Sequence, residues 1–516
     1  MAQPVGEARS RSPVALAVLS ITPLLLLAVG LHLKAMRGPY WLGMNSDPEY
    51  AYLFNSLLIL SGKPPFLIEH PGIPVETLGA VVVRTLFGVS GRGSLIDDVV
   101  RRPELYLSAI HLCLISVTAL LVFCAGVIVL KQTQQVSLAI LVQLAPWLSV
   151  NLLEELSRVR PEPLLVGMSV VFAAVILLTT REGQSSRYHR SALVLGAVVG
   201  IALATKMTAL PFLLGPLVVF DAWRPRLLFL GASAVGFLAG ILPALPKVLS
   251  MGKWSATLLI HSGGYGSGPT SFIDPVRYLP TLWSLMVGEP VMTSMMVCSA
   301  MVWFAFRERR ALGAALVVQI AQLLLVAKHP APHYLVPAIG TLGANLCVCW
   351  QYWASRARQP FRALAVPLLA GFLVFQGLGL HSRSLALQAA RIDQETIARV
   401  TEETAHKSEC VTIYYYRSSS RAYALQFGNL WSKFAGLNVA PALVAHYPNV
   451  LFDKGGLHIR DFNWQDETDL RALLRAHACV LLEGTTLSST AVASEIALDV
   501  TFAAMHETLY RLRGQR

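Results

Sequence analysis

Asp47-Pro48-Glu49 places two carboxylates one residue apart in the first polar stretch after the first hydrophobic run of this 516-residue chain. Proline disfavours helical geometry at the residue before it, so Asp47 is expected to be extended, at a bend in a loop. Paired acids at a membrane surface suit general-base work or the holding of a divalent ion. A solvated loop with two ordinary charges is the plainer reading. Against it stands the company the pair keeps. Glu69 and His70 follow in the same loop, and Glu154-Glu155-Leu156-Ser157-Arg158-Val159-Arg160-Pro161-Glu162 lies between two later apolar runs. Lys206 interrupts another run, and Lys328-His329-Pro330-Ala331-Pro332-His333-Tyr334 precedes a late one.

The elements that must position these residues are membrane spans. Hydrophobic residues make up 54% of the chain and charged residues 14%, and the apolar runs recur from residue 13 to residue 380. Each approaches the roughly 20 residues that cross a bilayer, so the expectation is an all-α polytopic membrane domain. Eleven spans are expected, at 13–33, 105–130, 135–151, 163–180, 191–205, 207–220, 227–246, 281–306, 311–327, 334–350 and 362–380. The first is read as retained, because it is long for a signal peptide and lacks a small-residue cleavage site. Residues 191–220 are counted as two short legs, because only then do the basic clusters share one face. These are Arg181/Arg187/Arg190, Arg224/Arg226, Arg307/Arg309/Arg310 and Arg356/Arg358/Arg362, on the side of Arg9 and Arg11. The segment 76–90 reads as a helix lying along the outer interface. The amino terminus is then cytoplasmic and everything after residue 380 is outside.

Charge supports that map. Residues 1–380 carry 28 Lys and Arg against 16 Asp and Glu, whereas residues 381–516 carry 14 of each. The net charge of +12 therefore reports membrane orientation and gives no reason to expect nucleic acid as a partner. The unusual loops all fall on the outer face, with the span centres almost free of charge. A lipid-linked sugar flippase or transporter would carry ionisable residues within its spans. A non-catalytic envelope-assembly subunit, with the outer domain as its working part, is the other rival. His329 and His333 have helical metal-pair spacing, but Pro330 and Pro332 make a regular helix through them improbable. The Gly-rich stretch 263–268 has neither the preceding strand nor the following Lys-Ser/Thr of a phosphate loop, and reads as a linker.

Residues 381–516 form a second domain, small and α/β. Cys410–Tyr416 and Ala478–Leu482 read as strands, Ser420–Leu430 as a helix, and Asp466 as the cap of a helix carrying Leu470, Leu473 and Leu474. Cys410 and Cys479 are the cysteine pair outside the spans, so a disulfide is open to them.

The chain resembles the GT-C superfamily of polytopic glycosyltransferases over most of residues 13–350. The acidic pair Asp47/Glu49 carries the resemblance first. His70-Pro71-Gly72-Ile73-Pro74 is similar to the His-Pro-Pro segment of protein O-mannosyltransferases and lipid A aminoarabinose transferases, with Gly72 as a departure. Residues 200–206, Gly-Ile-Ala-Leu-Ala-Thr-Lys, resemble the small-residue-to-Lys turn of those enzymes. Pro332-His333-Tyr334-Leu335-Val336-Pro337 resembles their Arg-Tyr-Leu-x-x-Pro motif, with His333 in place of the Arg. The resemblance implies an inverting transferase that moves a sugar from a polyprenyl-phosphate carrier to an extracytoplasmic lipid, glycan or protein acceptor. It implies Asp47 as general base, with Glu49 supporting it or sharing a Mg2+ or Mn2+ ion. It implies donor-binding roles for His70, Arg158, Arg160, Glu162, Lys206, His333 and Tyr334, with Arg158, Arg160, Lys206 and His333 as cations for the phosphate. The place implied is the inner membrane of a bacterium, with residues 381–516 in the periplasm.

Overall fold

The computed structural model describes residues 13–68, 72–180, 188–262, 267–305, 309–356, 365–453, 458–465, 467–485 and 496–514. They divide into two compact units. The first holds the described residues of Met1–His32, Ile68–Val75 and Leu112–Ser382; the second holds those of Leu33–Leu67, Glu76–His111 and Arg383–Arg516. The boundary expected at residues 380/381 falls inside one continuous helix, Ala365–Lys407.

The first unit is helical, as a chain must be where no water is present to satisfy the backbone. The helix Pro161–Thr179 is buried along its whole length. Tyr188–Thr205 packs closely on Trp223–Gly240, because glycines let the two backbones approach. A Cβ on Gly196 would sit 2.6 Å from the Phe229 carbonyl oxygen, and one on Gly200 would sit 2.3 Å from that of Ser233. That is the small-residue packing of membrane helices. The chain then breaks at Lys206, extended at φ −161°, ψ 133°, and continues through the 3-10 turn Met207–Leu213 into the short helix Leu214–Val219.

Among the described residues six helices are long and apolar enough to cross a membrane, or up to eight if two bent pairs each count as one span. The expected tally of eleven included segments that are broken. Residues 135–151 form the short helices Val136–Gln143 and Val150–Glu155 around the 3-10 turn Ala145–Leu148. The chain bends by 90° after Gly240 and by 95° around Glu289. Ile73–Ser90, expected along the interface, is 18 residues long and passes the same test of length and composition.

The second unit contains a seven-stranded sheet. Its strands are β1 (Val411–Tyr414), β2 (Val450–Asp453), β3 (Ile459–Arg460), β4 (Glu467–Thr468), β5 (Val480–Thr485), β6 (Ile496–Ala503) and β7 (Glu507–Gly514). Their order is β4-β3-β2-β1-β5-β7-β6, parallel between β1 and its two neighbours and antiparallel elsewhere. Val411, Ile413, Ile459, Leu470, Leu473, Val480, Leu482 and Leu512 form its core. Cys410 and Cys479 lie immediately before β1 and β5 and are joined as a disulfide across 4.6 Å between Cα atoms. The helix Arg421–Lys433 is capped by Ser420. Leu470–Ala476 is capped by Asp469, whose side chain accepts from Arg471 N; Asp466, the expected cap, lies outside the described residues. Asp469 is the residue adjoining the first turn, where a carboxylate can reach the open N–H groups.

Candidate active site

In the second unit the acidic pair stands on the helix Ser46–Leu60. Asp47 is extended as expected, at φ −106°, ψ 122°, and its bond to Pro48 is cis. The loop expectation is corrected, because both acids belong to the first turn of a helix, where the dipole favours negative charge. They differ in setting: Asp47 is half-buried, whereas Glu49 is fully buried. The charge of Glu49 acts on Lys34, and that of Asp47 acts on Tyr423. Burial, with Tyr416 and Asp47 beside it, pushes the Tyr423 hydroxyl up to about 12.

The segment leading into this helix is held closely. Asn45 donates from Nδ2 to the carbonyls of Pro39 at 2.6 Å and Arg37 at 3.1 Å. Glu104, which sequence reasoning passed over, accepts from Tyr40 N at 2.9 Å and from the Tyr50 hydroxyl at 3.0 Å. Burial, and then the Glu104 charge, raises Tyr50 well above its ordinary range. Farther along, Tyr50 and Phe54 meet Gly428 of the helix Arg421–Lys433. A Cβ on Gly428 would lie 2.8 Å from the Tyr50 carbonyl oxygen, so a side chain there would wedge the two helices apart.

In the first unit five of the expected donor-binding residues come together around one carboxylate. Glu162, in the first turn of Pro161–Thr179, forms a direct ion pair with Lys206 across 44 residues of sequence. Their side chains are 1% and 6% exposed, so the pair is shielded from water. His333 Nε2 lies 3.9 Å from Glu162 Oε1, and Lys206 Nζ stands 4.5 Å over the Tyr334 ring. Arg160, immediately before the same helix, reaches Glu155 at 3.6 Å. Arg158 is buried, and its charge reaches His333. Burial pushes His333 down to about 3, against the pull of Glu162 and aided by Lys206, Arg160 and Arg158. Burial thus favours the neutral form of His333, which can still donate one hydrogen bond. Lys206 does not snorkel to water, because its counter-charge is Glu162. Another buried acid, Glu289, accepts from Ser149 Oγ at 2.9 Å and Asn151 Nδ2 at 2.8 Å. Only its place between Gly288 and Pro290, a helix-breaking context, could have marked it in the sequence.

His70 lies outside the described residues, as do Glu69, Pro71 and residues 263–266 of the Gly-rich stretch. Gly72 explains its own departure from the His-Pro-Pro pattern. Its φ is +61°, closed to a proline locked at about −65°, and its N–H donates to the Thr205 carbonyl at 3.0 Å. Among the described residues no three His, Cys, Asp or Glu side chains gather to hold a metal ion. The expected Mg2+ or Mn2+ site thus rests on Asp47 and Glu49 alone among the described residues.

No protein-family model and no curated protein sequence matches the chain. Solved structures do. ArnT from Cupriavidus metallidurans bound to undecaprenyl phosphate is 14% identical, with a TM-score of 0.52, over 96% of this chain and 97% of that one. ArnT from the same organism in the apo state is 15% identical, with a TM-score of 0.51, over 95% and 97%. The chain has an ArnT-like fold. ArnT is a lipid A aminoarabinose transferase with a GT-C fold, so the resemblance seen in the motifs holds at the level of the fold.

Proposed function

We propose that this chain is an integral membrane glycosyltransferase that moves a sugar from a polyprenyl-phosphate carrier to an extracytoplasmic acceptor. The observation that carries the reading is the likeness, along nearly the whole chain, to a structure holding undecaprenyl phosphate. Asp47 takes the proton of the acceptor hydroxyl. The acceptor oxygen attacks the anomeric carbon, and the carbon–oxygen bond to the carrier breaks with inversion. The electron pair leaves on the polyprenyl phosphate. Glu49, buried one residue beyond Pro48, supports Asp47, and the proposed steps use no metal.

Arg158, Arg160 and Lys206 stabilise the departing phosphate. Arginine grips two phosphate oxygens through its planar fork, whereas lysine acts as a point charge. Among the three, Arg160 has the most exposed side chain, at 17%, and is the one we take to meet the phosphate first. Glu162 holds Lys206 in place, and neutral His333 donates a hydrogen bond. We place the protein in the bacterial inner membrane, with residues 1–380 as the transferase domain and 381–516 in the periplasm.

Native mass spectrometry of the purified chain tests the lipid partner. The expected result is retention of undecaprenyl phosphate over undecaprenol, with a several-fold loss in Arg160→Gln at unchanged melting temperature. Equal retention of the two lipids would remove the polyprenyl phosphate from the account.

A further inference from the structure

Within the second unit, a tether runs from the sheet to the acidic pair. Gly43 N donates to Ser419 Oγ at 3.0 Å. Ser419 in turn donates twice to Glu507, from Oγ to Oε1 at 2.5 Å and from its backbone N–H to Oε2 at 2.7 Å. Met44 N donates to Gln394 at 3.3 Å, a second hold on the same strip. The approach at Gly43 is close: a Cβ there would meet the Arg417 carbonyl oxygen at 2.0 Å, so only glycine fits. Asn45 N and Ser46 N both donate to the Leu42 carbonyl, at 2.7 and 3.0 Å. The strip is therefore one tight turn between the tether and Asp47, and a shift at Gly43 passes into the first turn of the helix.

Fold stability does not account for the acid at the end of this tether. Glu507 is 1% exposed and lies beside Glu483, which is fully buried. Glu402 and Asp393 add negative charge, Thr401 faces Glu483, and no cation stands among the groups that act most strongly on the two carboxylates. Two buried acids in contact are a costly way to build a sheet, and well-packed apolar side chains of similar volume would serve stability as well or better. Costly buried acids of this kind concentrate where function needs them.

We infer that Ser419 and Glu507 are positioning residues, holding the Gly43–Ser46 turn so that Asp47 keeps its reactive geometry. The inference rests on the glycosyltransferase reading of Asp47. It assigns residues 381–516 a part in the reaction itself, beyond recognising an acceptor or serving as scaffold. Glu507→Gln keeps the frame: its Oε1 accepts from Ser419 N, and its Nε2 donates to Ser419 Oγ, which still accepts from Gly43. Glu507→Ala and Ser419→Ala both cut it.

The test uses the full-length protein with two readouts. Hydrogen–deuterium exchange over residues 38–46 should accelerate in Ser419→Ala and Glu507→Ala and stay near wild type in Glu507→Gln. Glycan product per unit of folded, membrane-inserted protein should fall on the order of 10–100-fold in the two alanine variants, as small misplacements of a reacting group do, and be largely retained in the glutamine variant. A merely structural role would lower the amount of folded protein and leave product per folded molecule unchanged. If Glu507→Ala fails to fold, Ser419→Ala removes the tether without touching a carboxylate. Unaltered exchange overturns the tether. Wild-type product from Ser419→Ala beside a dead Asp47→Asn overturns the positioning role alone. Wild-type product from Asp47→Asn overturns the underlying glycosyltransferase reading, with the exchange readout still deciding the tether.

Discussion

Lys206 shows how far a single residue can be read. An ammonium between two apolar legs is costly without an anion, and the sequence makes that cost plain. It does not say which anion answers it, because Glu162 is 44 residues away and looks equally ready to pair with Arg158 or Arg160. The pairing changes what a substitution reports. Lys206→Ala strands a carboxylate that is 1% exposed, so it should destabilise the protein by about 3–5 kcal/mol, whatever it does to donor use. Lys206→Met with Glu162→Gln removes both charges and should recover most of that loss. Thermal unfolding in detergent compares the two, and a single variant as stable as wild type would mean the pair carries no structural weight. His333 teaches the same lesson: its place in the motif was legible, but its neutrality depends on burial and on three cations brought near it by other segments.

At the scale of elements, the sheet was half legible. The apolar runs of β1 and β5 stand out, and so does the serine cap of Arg421–Lys433. The strand β6 carried a signal that was passed over, with Ile496, Leu498, Val500 and Phe502 alternating at the period of a half-buried strand. Its partner β7 brings Glu507 to the tether, a juxtaposition that no local pattern reveals. The buried acids give the unit a pH signature. Burial, and then the Glu507 charge beside it, raises Glu483, whereas burial, with Asp393 nearby and against the hydrogen bonds from Ser419, brings Glu507 up to about 7. The folded state then binds more protons than the unfolded one, so this contribution to stability is complete below the ordinary glutamate range and is lost as pH rises through 7. For Glu507 alone the loss from pH 5 to pH 8 should be on the order of 2–3 kcal/mol, and Glu507→Gln should remove that part of the slope. Melting curves at the two pH values check this, and a wild-type profile that rises over the same interval would contradict it.

At the scale of the molecule, hydrophobicity identified the class, and four dispersed motifs identified the fold despite 14–15% identity to ArnT. Span counting fared worse, because hydropathy registers apolar runs but not the breaks at Ala145–Leu148, after Gly240 and around Glu289. Orientation rests on the Arg-rich loops, and we expect residues 381–516 outside the cytoplasm. A reporter active only in the cytoplasm, fused after Arg516, should stay silent; signal from it would reverse that assignment. The central claim, transfer of a sugar with Asp47 as base, is tested most directly in cells lacking this gene and complemented with Asp47→Asn. That change keeps the size of the side chain and removes the charge a general base needs, a contribution typically worth about 10²–10⁴-fold in rate. Profiling of glycans and polyprenyl-linked lipids should show the variant inserted at wild-type levels, the glycan missing and the lipid-linked donor accumulating. Wild-type glycan from Asp47→Asn would contradict the account and leave a flippase or an assembly subunit in its place.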